Sequence, residues 1–292
     1  MDLVIKSEDD AFRFLQQTID GQVNFDNINV TFDGWPNLAV HVKGDKFDSS
    51  LTPSLMKGFL ELQKGINRSY CLVRYGTPNT NVLTRKEREE LEIQVKVGQG
   101  STTTNIDLQS LLSNISTQVI DKMDPKTLAF TLVSLALIWG GKVSYAKYLE
   151  NRRQIRETEV KSEETRELLK NQTFLSEQET ERTRILATAF ANNAQVAGLS
   201  SVAEDSKSVF IKELGTAAHS TIQGIEIDGD MATELAKNAR RKSIDIAFNA
   251  KFRILLVDSS DPETFKVRLR NMETNDEFTA KVQDKSLDSR YI

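Results

Sequence analysis

The chain has 292 residues, 39% hydrophobic and 27% charged. That is the balance of a soluble chain able to bury a core, and the length suits about two domains at ~100–200 residues each. The formal net charge of −4 divides into −4 over 1–125, +2 over 126–200 and −2 over 201–292, so no segment has the basic excess of a phosphate-binding surface, and nucleic acid is disfavoured as a partner. A single cysteine, Cys71, excludes an internal disulfide framework. The opening MDLVIKSEDDAFRF lacks the basic-then-apolar pattern of a secretion signal, so a cytoplasmic chain is expected.

Residues 1–124 alternate helical and extended patterns. Ser7 and Asp10 form a near capping box for a helix ending at Gly21. Asn27–Phe32 and Leu38–Val42 read as strands around an Asp33-Gly34-Trp35-Pro36 turn. Thr52-Pro53 opens a helix whose Leu55, Phe59, Leu62, Ile66 and Tyr70 form one apolar stripe, with Leu51 and Met56 placed to staple its start. Leu91–Val97 alternates like a half-buried strand. Leu108, Leu111, Leu112, Ile115, Val119 and Met123 mark another amphipathic helix. The expectation is a small N-terminal α+β domain.

Residues 125–199 begin at a strong start signal, Asp124-Pro125. No proline falls between 126 and 261, which permits long helices. Thr127–Gly141 is uncharged, whereas ENRRQIRETEVKSEETRE (150–167) is dominated by charge. The expectation is an apolar helix continuing into a long charged one, on the order of 110 Å if unbroken to Ala197; Gly140-Gly141 and Asn171 are the places where it would break. Three readings apply to the apolar part. As a membrane span over 127–145 it is short, since Thr127–Gly141 reaches about 22 Å against ~30 Å of hydrocarbon. Trp139, Tyr145 and Tyr148, with Lys142, Lys147, Arg152, Arg153 and Arg156, would then be its interfacial flank. As a core helix it would be apolar all round. As a subunit seam it would use Ala129, Ser134, Ala136, Gly140 and Gly141 for close approach. The residues expected to make the oligomer or membrane contact are Leu128, Phe130, Leu132, Leu135, Leu137, Ile138, Trp139, Gly140 and Gly141.

Residues 200–292 open with helical segments, including one from Asp230 to Arg241. Three strand-like runs follow, Ser243–Val257, Thr264–Leu269 and Glu277–Val282, punctuated by turns at Asp258–Pro262 and Asn271–Asp276. This predicts a small helix-plus-meander domain whose sheet needs another element or subunit to complete its core.

No motif for chemistry emerges. His41 and His219 form no ligand-spaced pair, and Cys71 follows a core stripe, as a structural thiol would. Gly140-Gly141-Lys142-Val143 lacks the glycine and hydroxyl positions of a phosphate loop, and Gly98-Gln99-Gly100-Ser101 is a link without a dinucleotide fingerprint. Asp258, Asp261 and Glu263 lack the spacing of a calcium loop. Arg240-Arg241-Lys242 sits where a helix C-terminus favours positive charge. No catalytic, cofactor or metal residue is assigned, and an enzyme is not expected.

GFLELQKGINRSYCLVRYG (58–76), LTRKEREELEIQVKVGQGS (83–101), FNAKFRILLVDSSDPETFKVRLRN (248–271) and EFTAKVQD (277–284) together resemble a family of uncharacterised bacterial proteins found around prophages and mobile islands. The resemblance covers most of the chain. It implies a phage–host setting and supplies no activity or site residues. The expected function is therefore a non-enzymatic, homo-oligomeric scaffold or interaction protein, whose partners are itself and phage or host proteins. Two readings stand against it: a membrane-anchored defence effector acting through 127–145 at the inner membrane, and a nucleic-acid-associated component.

Overall fold

A computed structural model describes residues 2–26, 28–44, 46–47, 50–98, 102–120, 123–191, 194–238, 250–258, 265–272 and 277–282. The fold is α+β, and the chain divides into two compact units, Met1–Arg241 and Lys242–Ile292. This differs from the expected blocks 1–124, 125–199 and 200–292, because strands from the first and third blocks share one sheet.

In the first unit, β1 (Asp2–Ile5) pairs in parallel with β2 (Asn29–Phe32) across α1 (Glu8–Ile19). Ser7 caps α1 by accepting the Asp10 N–H at 3.2 Å. β3 (Asn37–Lys43) does not fold back on β2. It is the middle strand of a five-stranded antiparallel sheet ordered β4-β5-β3-β6-β7, with β4 Val95–Val97, β5 Thr102–Asp107, β6 His219–Ile222 and β7 Ile225–Asp228. The extended run expected over 91–97 is strand only at its end, because α3 (Arg85–Glu90) precedes it. A two-residue Gln223-Gly224 turn joins β6 to β7. Both residues have positive φ, 50° and 75°, the twist that suits tight hairpins. Gln223 tolerates that conformation while its side-chain amide donates to the carbonyls of Asn37 and Gly140.

α2 (Pro53–Tyr75) starts as expected, with Thr52 Oγ1 accepting the Leu55 N–H at 3.3 Å. Its whole predicted stripe is buried. It packs along α9 (Ala194–Leu214), and the two approach closely at Gly65, where a Cβ would collide with Ser206 and Trp139. α4 (Gln109–Val119) buries Leu111, Leu112, Ile115 and Val119.

The long central helix is not formed. The segment is α5 (Pro125–Gly140), α6 (Lys142–Glu159), α7 (Glu163–Asn171) and α8 (Glu177–Ala191). Asp124 caps α5 through the Thr127 N–H at 3.0 Å. At Gly141 the axis turns by 60°, and α6 receives its cap from the far end of the chain: Glu8 Oε1 accepts the Val143 N–H at 3.0 Å. The charged helix is no free stalk. Arg152 donates to the carbonyls of Leu235 and Lys237 at the end of α10 (Gly229–Ala236), at 2.9 and 2.5 Å, and Arg156 pairs with Glu234 at 2.5 Å. Guanidinium groups are well placed at the unpaired carbonyls of a helix end.

The second unit contains β8 (Phe252–Asp258), β9 (Phe265–Asn271) and β10 (Glu277–Val282) in an antiparallel sheet ordered β10-β9-β8. β9 and β10 match the second and third expected runs and β8 only the end of the first, since Ala250 and Lys251 are not strand; 243–249 and most of the two turns lie outside the described residues.

Candidate interaction surface

Strand register sorts the side chains of the C-terminal sheet into two faces, because residues opposite one another in a ladder share a face. One face carries Phe252, Ile254, Val257, Val267, Leu269, Phe278 and Ala280. The other carries Arg253, Leu256, Asp258, Lys266, Arg268, Arg270 and Glu277. Val257 reaches the apolar face only because β8 holds an extra residue between Ile254 and Leu256. Such a bulge resets the alternation, so the five-residue run ILLVD does not scatter its apolar groups equally over both faces.

The two faces differ in how well they are satisfied. On the polar side Glu277 bridges Arg268 at 3.1 Å and Arg270 at 2.5 Å. On the apolar side the Phe252 and Phe278 rings meet edge-on, with centroids 5.2 Å apart. Yet Ile254 is 61% exposed, Val257 45% and Phe278 39%. A three-stranded sheet with one apolar face needs that face covered to be stable. The apolar face thus leaves Ile254, Val257 and Phe278 in contact with solvent.

Other sites are smaller or more ambiguous. A groove of ≈ 610 Å³ runs beside α2, lined by Leu51, Met56, Leu60, Ile93 and Val95 with Arg85, Arg88 and Glu89. The staple pair Leu51 and Met56 therefore sits in an open groove. Lys207 is fully buried on α9; its Nζ donates to Ser144 Oγ at 2.6 Å and lies 4.1 Å from the Tyr145 ring centroid. Burial pushes its ammonium down to about 7; the carboxylate of Glu204 opposes that and Lys147 adds to it. The adjoining cavity of ≈ 20 Å³ holds about one water, too little for a substrate. Glu87 caps α3 and accepts from the hydroxyls of Tyr70 and Tyr75 at 2.7 and 2.6 Å. Burial alone would raise its carboxyl, but the bonds from Tyr75, Tyr70 and Thr84 outweigh that and hold it at about 2. That geometry fixes a helix start against α2.

The residues singled out from sequence fall as follows. Phe130, Leu132, Leu135, Leu137, Ile138, Trp139, Gly140 and Gly141 are buried in the chain's own core, and Leu128 is half-buried. Pro36, Asn37 and Leu108 crowd Gly140, so the close approach expected between subunits is made within one chain. Among the described residues no single helix is long and apolar enough to cross a membrane; α5 and α6 reach that length only as a bent pair. Cys71 is buried, which raises its thiol to about 11. His219 Nδ1 lies 2.8 Å from Asp228 Oδ1 across the β6–β7 ladder, and His41 sits on β3. Gly140-Gly141 forms the α5–α6 junction. Residues 99–101, 240–242, Asp261 and Glu263 lie outside the described residues. Lys207 was not anticipated, although it interrupts the buried stripe Val196, Leu199, Ala203, Phe210 and Leu214 at helical spacing. Comparison with protein-family models, with curated proteins and with solved structures finds no match to this chain.

Proposed function

We propose that the chain is a homo-oligomeric assembly protein that works by binding rather than by catalysis, and that its C-terminal sheet is the assembling part. The observation that carries this reading is the apolar face of that sheet, on which Ile254, Val257 and Phe278 are each more than a third exposed while Phe252, Val267, Leu269 and Ala280 are half-buried. Contiguous exposed apolar surface of this kind marks an interaction site in a stable protein. The apolar helix α5, first expected to supply the contact, is already satisfied by α1, α4 and α9. The larger Met1–Arg241 unit would then be the body presented by the assembly. The resemblance of the whole chain to prophage and mobile-island proteins, drawn from its sequence alone, suggests that what the assembly meets belongs to phage–host conflict.

Sedimentation velocity of the full chain over a micromolar concentration series tests this. A concentration-dependent shift to dimers or larger species is expected. A single monomer boundary throughout would end the assembly reading.

A further inference from the structure

Among the described residues β8 is an edge strand, with β9 as its ladder partner on one side. Three properties of the strand agree on one partner. The first is charge. In Arg253-Ile254-Leu255-Leu256-Val257-Asp258 a cation opens the run, an anion closes it and the interior is apolar. Laid antiparallel against a second copy about the Leu255–Leu256 bond, Arg253 of each copy opposes Asp258 of the other, and Ile254 opposes Val257.

The second property is the facing of the side chains. Paired residues in a ladder must point to the same face. In an unbroken strand Arg253 and Asp258, five positions apart, would point to opposite faces and the pairing would fail. The bulge between Ile254 and Leu256 removes the conflict: Arg253 and Asp258 share the polar face, while Ile254 and Val257 share the apolar one. Since both copies carry the same extra residue, the register runs through the centre without a slip.

The third property is hydrogen-bond polarity. The Met272 N–H donates to the Lys251 carbonyl at 3.0 Å, which sets the alternation along β8. Arg253 therefore turns its backbone groups toward β9. Ile254 turns its groups outward, and so, across the bulge, does Val257. The two residues that would face each other are the two whose N–H and C=O point away from β9. Arg253 and Asp258 then fall in the non-hydrogen-bonded pairs, where side chains lie closest.

From these we infer that β8 pairs with β8 of a second copy, antiparallel and centred on Leu255–Leu256, joining two three-stranded sheets into one six-stranded sheet with a two-fold axis. This rests on the assembly reading above and specifies its contact. It also meets two needs of the isolated unit: it closes an apolar edge that would template aggregation, and it doubles a sheet that is small to stand alone. The two apolar faces become one continuous face.

Charge exchange on the full chain is the test, because Arg253 and Asp258 lie on the polar face and stacking of the apolar faces would not involve them. By symmetry each single variant, Arg253→Asp or Asp258→Arg, replaces two attractive pairs by two repulsive ones. Each should weaken the dimer about tenfold or more in sedimentation equilibrium. The double variant Arg253→Asp/Asp258→Arg should restore the dimer to within about threefold of the parent. As an independent readout, the double variant Arg253→Cys/Asp258→Cys should form an intermolecular disulfide under mild oxidation; within one strand the two sites are roughly 16 Å apart, too far to bridge. If the protein self-associates but neither the charge variants nor the cysteine pair respond, this register is wrong while assembly stands, with face-to-face stacking as its contact. If the chain is a monomer throughout, both readings fall and the sheet belongs to a different partner.

Discussion

α5 and β8 are the two most conspicuous apolar runs in this chain, and they meet opposite fates. From Ala129 to Gly140 every residue of α5 is buried. From Arg253 to Val257 every residue of β8 is exposed. Apolar content is therefore a poor guide to burial. What separates the two is the supply of covering elements. α5 has α1, α4 and α9 around it, together with β2 and β3. Among the described residues of its unit, β8 has only the other two strands of one sheet, which can shield one side of a strand but cannot cover the sheet's own face.

Substitutions at the two places should sharpen the contrast, and the largest effect belongs to α5. Leu132 is 2% exposed. Leu132→Arg forces an unpaired charge into the core, and more than about 4 kcal/mol of stability should be lost. Circular dichroism during urea denaturation would then show a largely unfolded chain. A folded variant with a wild-type midpoint would contradict the burial of α5.

Next comes a gain. Lys207 has a folded-state pKa of about 7 against an ordinary value of 10.5. Between those values the unfolded chain binds a proton that the folded chain does not. Stability therefore rises with pH from about 7 toward 10, and below 7 this group adds no further slope. Lys207→Met removes the cost of burying the amine. It should stabilise the protein at neutral pH by roughly 2–4 kcal/mol, allowing for the lost bond to Ser144, and flatten that rise. Denaturant midpoints of both proteins at pH 7 and pH 9.5 measure it.

A smaller loss is expected at the long-range cap of α6. Glu8→Ala leaves the Val143 N–H without its acceptor and should cost about 1–2 kcal/mol. Glu8→Gln keeps an acceptor. Burial raises the Glu8 carboxyl, against the bonds from Val143 and Lys142, so holding it ionised in the fold is unfavourable. The wild type should thus lose ground to the Gln variant as pH climbs through the folded-state value. Equal behaviour of the Ala and Gln variants would remove the capping role. The smallest effect on stability is reserved for β8: Ile254→Arg should shift the unfolding midpoint by no more than about 0.5 kcal/mol while abolishing self-association. If thermal stability of the monomer collapses instead, the apolar face is part of a core and not a contact surface.

Local signals were read well where they act locally. Ser7, Thr52 and Asp124 each cap the helix expected of them, and the stripe Leu55 to Tyr70 is buried throughout. The three C-terminal strands also lie where alternation placed them. Long-range pairing was not legible. Nothing near Leu38–Val42 announces that its neighbours are residues 102–107 and 219–222, and the β6–β7 hairpin hides behind Gln223, an unusual residue at positive φ. The charged run after Leu149 looked like a solvated helix because composition does not reveal that Arg152 and Arg156 are held by α10. Its end at Glu159 carries no proline or glycine to mark it. The proposed contact surface is half legible: the sequence predicts a small C-terminal sheet in need of another element, but only the ladder register exposes the bulge that sorts its faces. Lys207 left a trace, one lysine in an apolar stripe, that α9 would have yielded to a stricter periodicity count.

The central place of β3 has a consequence for synthesis. Its partner β6 is made 176 residues after the end of β3, counted from Lys43 to His219. At ~5–20 residues per second the ribosome needs roughly 10–40 s to supply it. During that interval one edge of β3 is open, and once residue 140 has been made the nascent chain also carries the apolar α5. Protease resistance of the nascent chain is therefore expected only after residue 228, the end of β7, has emerged.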